Sequence, residues 1–440
     1  DVPGEYLYYR TPSPWLQVKL LKALQSFPPP IDDRPIWNML NDCLSKILTR
    51  TEVTNRLNKN NADHGILFEA VNLIIEYKEE AKPDLKDQAI ELLGRFISVR
   101  ESNIRYLGLE TMAKLSNLEG TEHLIRQHEA IIVLSLRDND ISIRRRALDL
   151  LYTLCDQESA KNIVEELLDY LQNSFDYDLK EELVLKIALL AEKFAEDMKW
   201  YFDVVISLVN AAGDYVSDYI WYRVLQIITG FEDEENDQDI QSYAAVKIFD
   251  SINIAHCHDT MVKIASYILS EFGELIIDRP GYETTKQFEA LNRHFYDANS
   301  QTKSMLLTAY MKMANLYTDI REEVLSIFEE ERTSLDADLQ QRANEYAILL
   351  QSEDANSQTA RNNALDRMPP FSSAINEKNL ILKKLKQLKG SKDQFTTNTR
   401  AGIERKKQER TEADRPTRRV VRPVETTASS STVQESGDLL

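Results

Sequence analysis

Glycine and proline, the residues that most often form tight turns, are scarce in this sequence. Its 440 residues include only 12 Gly and 13 Pro, too few for an all-β chain with many hairpins. Cysteine is rarer still, since Cys43, Cys155 and Cys257 lie far apart and are odd in number. This usage excludes a disulfide framework and is typical of a protein from a reducing compartment.

Long apolar runs are also missing. The best candidate, Val204–Gly213, is interrupted by Asp214, well short of the ~20 residues that span a bilayer. The first four residues, DVPG, have neither the basic start nor the apolar core of a signal peptide. We therefore expect a soluble, cytosolic protein, and the missing initiator Met indicates a fragment or a processed chain.

Basic residues are in short supply outside the C-terminal end. The chain carries a net charge of −19, yet residues 376–440 contain 15 Lys and Arg against 9 Asp and Glu. Residues 1–375 therefore carry a net charge of −25. This excludes a nucleic-acid groove along the body, because phosphate binding depends on Lys and Arg. We interpret the charge as a solvated acidic surface.

Motifs of common catalytic sites are absent. No G-x-S-x-G, Walker-type or G-x-G-x-x-G segment occurs. The densest group of metal-ligating residue types is His256-Cys257-His258-Asp259. Adjacent residues project around a helix start, and no second ligand pair accompanies them. We interpret the quartet as a polar turn and expect no metal, no cofactor and no enzymatic activity.

Helical periodicity, by contrast, is abundant. In Leu136–Asp156, a loop precedes apolar residues that recur on one face of a 3.6-residue period. Equivalent segments place Ile104, Ile143, Leu179 and Ile220 at intervals of 39, 36 and 41 residues. A period near 40 with two helices per unit is typical of HEAT or armadillo repeats. We therefore predict an all-α fold, a curved α-solenoid of HEAT/armadillo-like helical repeats with a disordered C-terminal tail.

The composition changes near the C-terminal end of the predicted array. We expect the array over 5–371, a basic amphipathic end helix over 372–389, and a disordered hinge or linker over 390–440, where apolar residues thin out. Within the array, the acidic stretch Phe231–Asp239 is expected to loop off one face. The run Arg144–Arg146 is expected to pack between repeats and to pair with an aspartate such as Asp140, with phosphate binding as the less favoured alternative.

Two C-terminal features are candidate interaction sites. In the end helix, lysines alternate with a leucine stripe. Such a helix can bind an anionic membrane surface, where each lysine contributes ~1 kcal/mol of binding free energy. Alternatively, it can cap the exposed end of the array. We favour the cap. The lysines are Lys383, Lys384, Lys386 and Lys389. At the C-terminus, Glu435 precedes Leu439 and Leu440 in the pattern of a short dileucine or clathrin-binding motif.

Several segments carry a specific resemblance. In chain order they are Pro14–Leu21, Pro28–Pro30, Ile66–Ala70, Asn103–Leu107, Arg146–Tyr152, Glu182–Lys186, Ala191–Lys193, Ala212–Ser217, Trp221–Gln226, Leu339–Ala343 and Met368–Phe371. This ordered series, over roughly residues 5–390, resembles the alpha-adaptins, the large chains of the endocytic clathrin adaptor complex. Its first proline stop and its final MPPF are similar to the alpha chains rather than to the gamma chains of the Golgi adaptor.

The resemblance implies the carboxy-terminal part of a large-chain trunk plus the start of the hinge. Such a trunk belongs to a heterotetramer with a beta-type adaptin, a mu chain and a sigma chain. That complex docks on phosphoinositide membrane, selects cargo tails and recruits clathrin at plasma-membrane coated pits. The implied function is thus a non-enzymatic scaffold, cytosolic and peripheral on the cytoplasmic face. Because the family binds lipid through its amino-terminal trunk, no lipid or cargo residue is carried over.

Periodicity alone leaves other HEAT-repeat scaffolds open. A Golgi adaptor large chain, a nuclear transport receptor or a phosphatase regulatory subunit has the same type of repeat. The receptor and the phosphatase subunit would share the period but not the ordered series of segments.

Overall fold

The computed structural model describes residues 3–50, 57–173, 177–231, 238–352, 354–372, 374–375 and 378–389. The described chain is almost entirely helical, with one short hairpin in which Leu7–Tyr8 (β1) pairs antiparallel with Thr11–Pro12 (β2). The α-helices are α1 (Pro14–Leu24), α2 (Arg34–Arg50), α3 (Leu57–Glu76), α4 (Pro83–Phe96), α5 (Ser102–Leu115), α6 (Glu122–Arg126), α7 (Glu129–Ser135), α8 (Ile141–Leu154), α9 (Ala160–Asn173), α10 (Tyr177–Phe194), α11 (Met198–Ala212), α12 (Asp218–Thr229), α13 (Gln238–Ile252), α14 (Asp259–Phe272), α15 (Thr284–Asn292), α16 (Ser300–Leu316), α17 (Arg321–Glu331), α18 (Ala337–Gln351), α19 (Ala355–Ala364) and α20 (Leu380–Lys389).

The helices stack in two layers. In the first layer, α3 packs against α5, α5 against α8 and α8 against α10; further along, α12 packs against α14, α14 against α16 and α16 against α18. In the second layer, α2 packs against α4, α9 against α11, α11 against α13 and α13 against α15. Helices such as α9 and α10, or α17 and α18, also pair across the layers. This arrangement confirms the predicted all-α solenoid.

Helix α8 shows why the sequence folds this way. The Asp140 carboxylate caps its N-terminus by accepting a hydrogen bond from the Ser142 amide at 2.8 Å, which satisfies one of the free amides of the first turn. Its apolar stripe, from Ile143 to Leu154, is buried against the neighbouring helices. Full burial of one such side chain is worth ~2 kcal/mol, so the stripe drives the stacking.

One local prediction was wrong. The polar stretch of residues 58–63 is predicted as a loop, but it forms the first turns of α3. Lys59 and Asp63 form an i,i+4 ion pair at 4.0 Å, and the Asn60 side chain is buried. Tertiary packing here overrides the weak helix propensity of asparagine. The acidic stretch after Phe231 (232–237) and the tail (390–440) lie outside the described residues, and the three proposed domain ranges stay predictions.

A ladder of polar side chains joins three successive helices of the first layer. The Arg146 guanidinium on α8 donates to the Tyr106 hydroxyl on α5 at 2.9 Å and lies 3.5 Å from the Asp149 carboxylate. Lys186 on α10 pairs with Asp149 and, at 3.0 Å, with Glu182. We call these five residues the polar ladder. Asp149 and Lys186 are 6% and 2% exposed.

The ladder explains the run of three arginines. Arg145 pairs with Glu182 of α10 at 3.0 Å, and Arg144 donates to the Asp138 and Asn139 carbonyl oxygens. With Arg146, the run therefore contacts the loop before α8 and both neighbouring repeats. Burial raises the pKa of the Asp149 carboxyl, and the ammonium of Lys186 opposes that rise. The pair is thus a desolvated contact whose two members depend on each other.

Replacing Lys186 by Met should lower the free energy of unfolding by about 3–5 kcal/mol, because it leaves the buried Asp149 carboxylate without its main partner. Urea unfolding followed by circular dichroism measures the effect. The double change Asp149→Leu and Lys186→Met removes both charges and should recover most of the loss.

The exposed pair Arg137–Asp169, at 3.2 Å, provides the control for this prediction. Arg137→Ala should cost less than ~1 kcal/mol. Equal losses in Lys186→Met and Arg137→Ala would mean that the ladder does not stabilise the stack.

Candidate interaction surfaces

After α18 the chain reverses and runs back along the first layer. The turn is held by Arg361, a 7% exposed residue of α19, whose guanidinium donates to the Leu349 carbonyl oxygen at 2.7 Å. The Asn315 amide on α16 then donates to the Asn362 side chain at 3.2 Å. Lys312, also on α16, donates to the Asp366 carbonyl oxygen at 3.2 Å. We call residues 361–389 the return segment.

The return segment next crosses α14 and the end of α12. The Met368 amide donates to the Glu271 carboxylate on α14 at 2.9 Å, and Arg367 pairs with Glu274. The Phe371 amide then donates to the Gly230 carbonyl oxygen at 2.9 Å, directly after α12. The order of these contacts, α16, α14 and α12, is the reverse of the chain order. The return segment therefore braces several successive repeats.

Helix α20 ends the return segment and packs against α10 and α12. The Asn379 side chain caps it by accepting from the Ile381 amide at 2.9 Å. Its apolar stripe is buried, with Ile381 0% and Leu385 9% exposed. The Lys384 ammonium lies 5.0 Å from the centre of the Tyr219 ring on α12 and donates to its hydroxyl at 3.2 Å.

This position corrects the prediction that the basic helix caps the exposed end of the array. The buried stripe of α20 finds apolar surface between α10 and α12, in the middle of the array, instead of beyond α18. Of the four lysines, Lys384 is half-buried against Tyr219, whereas Lys383 and Lys386 are exposed. The side chain of Lys389 lies outside the described residues, as do Glu435, Leu439 and Leu440. A membrane role for the lysines stays a prediction.

The His256–Asp259 quartet leads into α14, and its members Cys257, His258 and Asp259 contact different partners. Cys257 Sγ lies 3.7 Å from His294 Nε2, and that ring nitrogen lies 2.8 Å from the Ile252 carbonyl oxygen. His258 Nδ1 lies 3.4 Å from the carboxylate of Asp214. No group of three or more metal-ligating side chains converges anywhere in the described part of the chain.

Asp259 of the quartet is engaged between repeats. Asp259 accepts hydrogen bonds from Asn299 at 2.7 Å and from Thr302 at 2.8 Å, both near the start of α16. Burial, together with the charge of Asp259, raises the pKa of Cys257 to about 11. The thiol is therefore protonated at neutral pH and is a poor nucleophile or metal ligand.

A cleft of about 1040 Å³ lies between the first-layer helices α14, α16 and α18 and the return segment. Its charged groups are paired: Glu271 of α14 pairs with Lys312 of α16, and Arg342 donates to Asp338, one turn earlier on α18, at 2.9 Å. The sequence does not predict this cleft, because one of its walls contains Met368. Met368 reaches the cleft only through the reversal of the chain after α18. The pair Glu271–Lys312 joins α14 to α16, and these ionic groups are engaged with each other instead of forming an acid–base pair free to act on a substrate.

No helix in the described ranges combines the length and the apolar character needed to cross a bilayer.

Comparison with known proteins agrees with this architecture. A family model described as the adaptin N-terminal region matches residues 6–354. A chain in a homology model of the full-length AP-3 complex, in an intermediate open conformation, has a TM-score of 0.52 over 80% of this chain and 66% of that chain. At 18% identity, that likeness supports the fold alone.

Sequence relatives are more specific. The AP-2 complex subunit alpha-2 of Dictyostelium discoideum is 44% identical over 382 residues, covering 86% of this chain and 37% of that protein. The AP-2 complex subunit alpha-1 of Arabidopsis thaliana is 42% identical over 405 residues, covering 91% and 38%. The AP-1 complex subunit gamma-2 of the same plant is 29% identical over 374 residues, covering 82% and 41%.

The chain spans about two fifths of the length of these relatives. Its identity to the alpha subunits exceeds its identity to the gamma subunit by more than ten percentage points over a similar length. The family model covers most of the chain. The chain therefore belongs to the adaptin family, as a large chain of the alpha type.

Proposed function

We propose that this chain is a scaffold subunit of a heterotetrameric clathrin adaptor that selects cargo and forms coated vesicles in endocytosis. The observation that carries the proposal is the 42–44% identity, over 86–91% of the chain, to proteins named as alpha subunits of AP-2 complexes. Its partners in this proposal are a beta-type adaptin, a mu chain, a sigma chain and clathrin. Contact with phosphoinositide membrane and cargo tails is made through the whole complex, on the cytoplasmic face of the plasma membrane.

The contacts within the chain support a scaffold. The polar ladder ties α5, α8 and α10 together, and the return segment braces the first layer from α16 back to α10. Such an array presents surfaces at fixed separations, because each repeat is held by its neighbours on both sides. Charged groups such as Glu271 and Lys312 are paired between helices, which fits a role in assembly better than a role in catalysis.

The alternatives are less well supported. A nuclear transport receptor or a phosphatase regulatory subunit would share the stacked helices but not the identity to adaptor subunits. A Golgi adaptor large chain is a closer alternative, yet the gamma subunit is only 29% identical. A scaffold subunit of the alpha type therefore remains our proposal.

Co-expression with beta, mu and sigma chains of an AP-2 complex should yield a stoichiometric tetramer. The expected result is one species of the summed mass in size-exclusion chromatography with light scattering. The matched control replaces the sigma chain by the one from an AP-1 complex, which should bind less completely. The adaptor proposal would be refuted if this chain co-purified with none of the beta, mu and sigma chains.

The docking of α20 can be tested with one apolar residue from each of its faces. Ile381→Asp places a charge in the buried contact with α10 and α12, so amide hydrogen exchange in α20 should accelerate by at least ~10-fold. Leu380→Asp is the matched control, because Leu380 is 48% exposed. Equal exchange rates in the two variants would contradict the docked position.

The exposed lysines of α20 can be tested on membranes. Each lysine near an anionic surface contributes ~1 kcal/mol, so Lys383→Ser with Lys386→Ser should lower partitioning onto phosphatidylserine vesicles by roughly 30-fold. Lys82→Ser with Lys161→Ser removes the same charge from exposed positions outside α20. If both double variants co-sediment with vesicles equally, the membrane prediction for α20 is wrong.

A further inference from the structure

The short hairpin at the start of the described chain is strained. Its strands β1 and β2 are joined by Tyr9 and Arg10 alone, and these residues have φ values of 47° and 72°. A two-residue hairpin turn with positive φ at both positions favours Asn-Gly, because a Cβ atom is crowded there. Neither residue here is a glycine or an asparagine. Such strain persists only where the surroundings hold it, and it often marks a functional position.

Hydrogen bonds on both sides hold this turn in place. The Thr11 hydroxyl donates to the Asp63 carboxylate on α3 at 2.6 Å. The Ser13 amide donates to the Tyr6 carbonyl oxygen at 2.8 Å. The hairpin is therefore tied to α3, which places Arg10 in the lining of a pocket shared with residues of α2 and α3.

Arg10 lines a pocket with three other cations. The pocket has a volume of about 410 Å³, and its lining includes Lys46 and Arg50 of α2 together with Lys59 and Asp63 of α3. Asp63 is already bound to Thr11 and lies 4.0 Å from Lys59. Within the described ranges, no carboxylate pairs with Arg10, Lys46 or Arg50. Four cations against one engaged carboxylate make this pocket basic, in a body of net charge −25.

The composition of the pocket selects its ligand. Two guanidinium groups offer forked donors that match phosphate oxygens, and two ammonium groups add point charges. The net charge of the lining is +3, which a single monovalent anion leaves largely uncompensated. We propose that this pocket binds a compact polyphosphate anion, with two adjacent phosphate groups held between Arg10 and the cations of α2 and α3. The chemistry is the same for a soluble polyphosphate and for a phosphorylated lipid headgroup.

The test is isothermal titration calorimetry of the full chain with inorganic pyrophosphate at low ionic strength. We expect saturable binding that weakens as salt is added. The triple variant Arg10→Gln, Lys46→Gln, Arg50→Gln should bind at least ~10-fold more weakly. The control triple variant Lys82→Gln, Lys161→Gln, Lys378→Gln removes the same charge from exposed positions outside the pocket and should bind as the parent chain does.

Flotation with phosphatidylcholine vesicles that contain diacylglycerol pyrophosphate, a lipid with two adjacent phosphate groups, distinguishes the two sources. Binding to soluble pyrophosphate that only the pocket variant loses supports a soluble ligand. Binding to the vesicles alone, again lost only in the pocket variant, supports a lipid headgroup. Absence of both, or equal binding by the two triple variants, overturns the proposal. Preference for an acidic peptide over pyrophosphate would overturn it as well.

A single substitution separates the ligand role of Arg10 from its structural role. Arg10→Gly removes the guanidinium and relieves the positive-φ strain. The thermal midpoint should therefore stay level or rise, while the affinity for pyrophosphate falls. An unchanged affinity in this variant would remove Arg10 from the site, and a lowered midpoint would show that the side chain serves the fold.

Discussion

Burial of one apolar stripe per helix is the constraint on which this structure depends. No helix of the array can bury its stripe alone, so each is held between the repeats before and after it. The distance along the chain from one stripe to the next is close to 40 residues. Any polar residue at the edge of a stripe therefore faces a residue about one period away. The polar ladder follows this rule, since 40 residues separate Tyr106 from Arg146 and 37 separate Asp149 from Lys186.

The same rule accounts for the groups that first suggest chemistry. Cys257 meets His294 across 37 residues, and Asp259 meets Asn299 across 40. Lys312 meets Glu271 across 41. Two residues of the quartet and two charged residues of the cleft are thus used as contacts between repeats. The pair Glu271–Lys312 is costly to break, because Glu271 is buried and its charge depends on that partner.

The sequence predicts the features that depend on neighbouring repeats. The stacked helices, the repeat period and the inter-repeat role of Arg144–Arg146 all follow from local pattern. The position of α20 does not, because Lys384 meets Tyr219 across 165 residues, a separation that no repeat period encodes. The amphipathic pattern of α20 shows that it needs an apolar surface but not which one. The basic pocket was missed for a related reason, since Arg10, Lys46 and Lys59 come from a hairpin and two helices.

The two kinds of cation in this chain have different physical roles. Lys186 and Arg146 are buried beside carboxylates, so their charges are compensated within the stack. Arg10 and Arg50 are exposed and line a pocket whose one carboxylate is already engaged. The body, with its net charge of −25, repels anions at long range. Salt screens this repulsion beyond ~10 Å. In the proposed site a ligand is therefore selected at short range, by the forked donors of Arg10 and Arg50, and the strained turn fixes the backbone position of Arg10.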